Sequence, residues 1–144
     1  SSTLFSASTA RQTFAAYIPS PSGDYEIDEK ITQATTGAVG RVVEWDATNK
    51  ILYFQQERFS DYGVDASGNA TAFSGANVIT GANSSVTGTP SSTGSETVDS
   101  IAFTSGFANP ELHPDSGEII YIENRRPISR ASDQTEDIKI IVEF

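Results

Sequence analysis

The sequence contains neither cysteine nor methionine, and it has a single histidine and a single tryptophan. Without cysteine there is no disulfide, no thiolate metal site and no cysteine nucleophile. No apolar run approaches the roughly 18 residues that cross a bilayer, and the N-terminus lacks the basic-then-apolar layout of a secretion signal. No membrane partner is therefore expected. The missing methionine suggests the C-terminal portion of a longer protein. Positive charge is scarce as well: no Lys or Arg lies between Arg58 and Arg125, a stretch holding eight acids from Asp61 to Glu123. The formal net charge of -10 repels nucleic acid and anionic lipid, whose binding depends on clustered cations. No nucleic acid partner is expected, and the acids read as a solvated face or as a docking surface for a basic partner.

What is present favours strands. The 144 residues suffice for one core, and 1–144 reads as a single β-rich domain. Hydrophobic residues make up only 37%, so many positions must sit in turns and loops. Thr13 to Ile18 predicts a strand stopped by Pro19, Pro21 and Gly23. Alternation over Tyr25, Ile27, Glu29 and Ile31 predicts a second. From Gly40 to Gln56, two β-rich runs flank the polar residues Asp46 to Lys50, the pattern of a hairpin. With the preceding strand it makes a three-stranded meander, buried partly by Trp45, Tyr53 and Phe54.

Residues 66–95 carry no charged side chain and are rich in Gly, Ser, Thr, Ala and Asn. Such a tract has little apolar surface to bury, so it is expected to be an exposed low-complexity loop with at most a short strand within Thr71 to Thr80. Loops of that length commonly make contacts. Thr97 to Thr104 reads as a strand and Gly106 to Pro114 as a loop. Glu118 to Glu123 and Asp137 to Phe144 read as closing strands, with a short helical turn near Ala131 to Asp137. The expected fold class is mainly β: an antiparallel sandwich or partly open barrel with a long polar loop.

Signatures of catalysis are weak. His113 sits between Leu112 and Pro114, and no serine occupies a G-x-S-x-G elbow. Glu118 and Glu123 are five apart on one predicted strand and so project to opposite faces, unlike the paired acids of a glycosidase. Asp61, Asp65 and Asn69 interleave oxygen ligands with glycine but lack the spacing of a calcium loop, and an ordinary turn is the simpler reading. The sequons at Asn69 and Asn83 are what any Asn/Ser/Thr-rich chain produces by chance. Arg125, Arg126 and Arg130 form the one basic cluster, beside Glu123, Asp133, Glu136 and Asp137, which fits either a local ion-pair network or an intersubunit contact.

One segment is more specific. SGEIIYIENRRPISRASDQTEDIKIIVEF, from Ser116 to Phe144, combines Ser116-Gly117-Glu118, Tyr121, Glu123-Asn124-Arg125, Pro127-Ile128 and Asp133-Gln134-Thr135-Glu136 with alternating Ile138 and Ile140 and a final Phe144. In these features it closely resembles the C-terminus of the baseplate wedge subunits numbered eight in T-even phages and their marine cyanophage relatives. The glycine turn and the V-x-x-W-D hairpin upstream look like a segment common in virion proteins of marine myoviruses. The resemblance implies a structural homodimer without catalytic residues or cofactor, bound to other wedge subunits in the tail baseplate of the virion. On that basis Glu123, Asn124, Arg125, Arg126 and Asp133 are the candidate interaction residues. A carbohydrate- or receptor-binding β module is the alternative, and it would show an aromatic platform at Tyr53, Tyr62 or Phe73.

Overall fold

The computed structural model describes residues 11–56, 63–112 and 123–124. Nine strands form among them: β1 (Phe14–Tyr17), β2 (Lys30–Gln33), β3 (Val39–Asp46), β4 (Ile51–Gln55), β5 (Ile79–Gly81), β6 (Thr87–Gly88), β7 (Glu96–Val98), β8 (Ile101–Phe103) and β9 (Phe107–Ala108). There is no helix among the described residues. Seven strands make one antiparallel sheet in the order β6-β5-β2-β3-β4-β1-β9, and β7-β8 make a separate ribbon. The sheet does not close into a barrel, so the sandwich-like member of the expected pair is the one observed.

The expected hairpin forms the centre of the sheet, with Val42 opposite Phe54 and Trp45 opposite Leu52. Val42 and Trp45 are three apart, an odd spacing that strict alternation would send to opposite faces. A register shift between Val42 and Glu44 absorbs one residue, so that both side chains meet the same core. The loop Ala47–Lys50 is closed by Asp46, whose carboxylate accepts the backbone N–H groups of Thr48 (2.9 Å) and Asn49 (3.0 Å). Lys50 ends the turn at φ 60°, and its ammonium lies 5.9 Å from the Trp45 ring centroid.

Each face of the sheet has its own core, as the alternation along β1 and β4 dictates. Ala16, Ile18, Leu52 and Phe54 join Tyr25, Ile31, Val42, Ile79 and Val86 on the first face. Ala15 and Ile51, with Tyr17 and Tyr53, pack on the second face against Phe103, Val98 and Ile101 of the ribbon.

Four expectations need correction. The strand from Tyr25 shortens to Lys30–Gln33, because the Tyr25 hydroxyl donates to the Ile79 carbonyl at 2.9 Å and Asp28 takes φ 68°, which bends the chain. Thr97 to Thr104 is not one strand: Asp99 and Ser100 both have positive φ and turn it into the β7-β8 hairpin. The Gly106 to Pro114 loop contains β9, which pairs with β1. Residues 66–95, expected to be an exposed loop, supply β5 and β6 to the main sheet and bury Ile79 and Val86. The strand Glu118 to Glu123, apart from its last residue, lies outside the described residues, as do the helical turn near Ala131 to Asp137 and the strand Asp137 to Phe144.

Candidate interaction surface

Three polar side chains explain how a tract without charge and nearly without large apolar residues joins a sheet. Glu29 is 1% exposed. Its carboxylate accepts the backbone N–H groups of Glu26 (2.8 Å), Asn83 (2.9 Å) and Ser84 (3.0 Å), and the Ser84 hydroxyl at 2.7 Å. Burial pushes the carboxyl pKa up, but the bonds from Ser84, Glu26 and Asn83 outweigh it and hold the value below the usual range. The carboxylate therefore clamps the β5-β6 turn to β2. A Cβ on Gly81 would lie 2.5 Å from Oε1 of Glu29, so glycine there makes room for the clamp.

Gln33 does the same for the next loop. Fully buried, it accepts from the Ser74 N–H and the Thr36 hydroxyl, both at 2.9 Å, and donates to the carbonyls of Gly75 and Asn77, both at 3.3 Å. All four positions of its amide are used. Gln56 donates to the carbonyls of Thr71 (2.7 Å) and Val39 (3.2 Å). Phe73 adds an apolar anchor, its ring centroid 4.6 Å from that of Phe54. Sequence reasoning missed these clamps because a Glu or Gln in a strand pattern is ordinarily assigned to the solvent face.

Of the candidate contact residues, Glu123 and Asn124 are exposed, and Glu123 is engaged in a further interaction. Arg125, Arg126 and Asp133 lie outside the described residues, as do Tyr62, Asp61 and His113. The other two aromatics of the platform are used in packing, Tyr53 against the second core and Phe73 against the first. Among the described residues, neither of these two rings stands free as a binding platform. Asp65 folds as an ordinary turn: its Oδ1 accepts the N–H groups of Ser67 and Asn69, both at 2.9 Å, with Gly68 at φ 78°. Among the described residues no cluster of His, Asp and Glu is placed to hold a metal.

The surface beside the ribbon is acidic. Burial raises the Tyr53 hydroxyl pKa, and the nearby charges of Asp46, Asp99 and Glu44 raise it further, with Arg11 opposing. Arg11 is otherwise occupied in joining the start of β1 to the segment after β9. Its N–H donates to the Glu111 carboxylate at 3.0 Å, its guanidinium donates to the carbonyls of Thr13 and Asn109, and its carbonyl accepts from Glu111 and Leu112.

A surface of charged loops and turns on a doubly packed sheet can hold neighbours in place. Comparison with known proteins adds a family: the family model described as Phage-Gp8: Bacteriophage T4, Gp8 matches residues 46–144. The match extends the likeness of the last 29 residues back to the hairpin turn at Asp46. Neither a curated protein nor a solved structure matches the chain.

Proposed function

Because the chain belongs to the bacteriophage T4 Gp8 family of baseplate wedge proteins, we propose that it acts solely through protein–protein contacts, without catalysis or cofactor. Its partners are other wedge subunits and a second copy of itself, and its place is the tail baseplate of a virion, in a phage of the marine type. The chain is one β-rich domain, the C-terminal portion of a longer subunit. The family match over 46–144 carries this reading. It is supported by a sheet packed on both faces and by the exposure of Glu123 and Asn124.

The contact residues are Glu123, Asn124, Arg125, Arg126 and Asp133. Arginine forks grip carboxylates bidentately, so residues of these types suit an acidic or hydrogen-bonding partner surface. Reversing charge with Arg125→Glu and Arg126→Glu, followed by sedimentation of the protein alone and with purified wedge subunits, tests it. The expected result is weakening of at least about tenfold in self- or wedge-association, with an unchanged melting temperature. Association at wild-type strength by a folded double variant overturns the assignment.

A further inference from the structure

Two margins of the main sheet are closed by the chain itself. At β6, the Ser22 N–H donates to the Thr87 carbonyl (2.8 Å), and the Ser22 hydroxyl accepts from the Thr87 N–H (2.9 Å). At β9, Thr104 and Phe107 exchange both backbone bonds (2.8 and 3.1 Å) across the tight Ser105-Gly106 turn. Unpaired strand edges template association, and folded proteins usually blunt them in such ways.

Among the described residues β7 is not closed in this way. The two-residue turn makes Val98 and Ile101 the hydrogen-bonded pair, so the next pair, Thr97 and Ala102, directs its backbone groups outward. Thr97 is exposed, and among the described residues none bonds its outward N–H or C=O. Beside it lies the half-buried Glu96, whose Oε1 is buried with no hydrogen-bond partner. The edge is flanked by Asp99, and Asp99 shares its influence on Tyr53 with Asp46 and Glu44. No cation occurs in the sequence between Arg58 and Arg125.

We propose that β7 is a strand-addition edge for a basic β-strand of another polypeptide in the assembly. The incoming backbone pairs with Thr97, and a Lys or Arg side chain on it is drawn to the carboxylates of Asp99 and Glu96. Backbone pairing supplies affinity in this mode and alternate side chains supply selectivity. Two copies of this edge would set Glu96 and Asp99 of one against the same acids of the other, which argues against self-pairing here. The inference rests on the reading that the chain works through assembly contacts, but its test leaves Arg125 and Arg126 untouched, so the two fail separately.

The probe is a synthetic peptide of alternating Val and Lys, added to the full chain while amide hydrogen exchange is followed residue by residue. Exchange at Thr97 is expected to slow at least about tenfold. A backbone N-methylated version of the peptide is expected not to bind. Thr97→Pro, which removes the outward N–H at an edge position that tolerates proline, weakens binding to a similar degree, and Glu96→Gln weakens it less. Binding of the peptide without slowing at Thr97, or equal protection by a Val-Glu peptide, overturns the proposal. So does concentration-dependent protection of Thr97 in the chain alone, which would make a second copy the occupant. If Thr97→Pro does not fold, the wild-type exchange measurement decides.

Discussion

Glu29 shows how one residue sets the fate of a distant segment. Four hydrogen bonds converge on its buried carboxylate from two turns, and glycine at position 81 leaves the space it needs. Glu29→Gln replaces an acceptor oxygen by an NH₂ that faces N–H donors, so a loss of about 2–3 kcal/mol is expected by urea unfolding. Because the folded pKa lies below the unfolded one, the contribution of Glu29 is complete above the ordinary glutamate value of about 4.3 and is lost as pH falls through the folded value. The stability gap between wild type and Glu29→Gln should therefore narrow in acid. A gap that stays constant from neutral pH to the acid limit of folding would refute the linkage. Ser100 is a smaller case with the opposite sign. It holds φ 64° with a side chain, so Ser100→Gly relieves left-handed strain and is expected to stabilise by roughly 0.5–1 kcal/mol after glycine's entropy loss, read as a raised melting temperature.

At the scale of elements, the hairpin Gly40 to Gln56 was legible because its signal is local: two β-rich runs and an Asx-type turn, with Asp46 capping the loop as its residue type suggests. The three-stranded meander followed from the same logic. β6 and β9 were not legible, and β5 only as a short strand somewhere within Thr71 to Thr80, since strands of two or three residues carry no period and distant side chains such as Gln33 and Gln56 help to order the tract. The β7-β8 turn was hidden because Asp99-Ser100 lacks the glycine that normally marks a turn with two positive φ values. Of the candidate contact residues, only their order along the chain was readable from sequence, because which surface faces a neighbour depends on packing that no local pattern records. The turn after β8 yields a sharp expectation. Gly106 has φ 81°, and a Cβ there would lie 2.8 Å from the Ser91 nitrogen and collide with the Ser91 carbonyl. Gly106→Ala should cost more than about 1 kcal/mol and loosen β9, seen as faster amide exchange at Phe107 and Ala108. An unchanged melting temperature would mean that the β8-β9 turn moves freely against Pro90 and Ser91.

For the whole molecule, the family match and the fold do not share a boundary. The matched region starts at Asp46, inside the hairpin, whereas β1, β2 and nearly all of β3 precede it. In the sheet order β6-β5-β2-β3-β4-β1-β9, β4 takes both its neighbours from that earlier part, β5 takes β2, and β9 takes β1. The first core also loses Ala16, Ile18, Tyr25, Ile31 and Val42 if the early part is removed, and the polar clamps Glu29 and Gln33 go with them. Among the described residues a fragment of 46–144 keeps only two strand pairs, β5-β6 and β7-β8, and isolated two-stranded pairs are marginal in water. The fragment is therefore expected to unfold without a cooperative transition, while the full chain shows one by circular dichroism. Adding residues 11–45 as a separate peptide should restore the transition, because those residues carry the missing strands and clamps and need no covalent link to pair. A cooperative transition in the fragment alone would show that the region shared with the family folds by itself and that β1 to β3 are an addition to it.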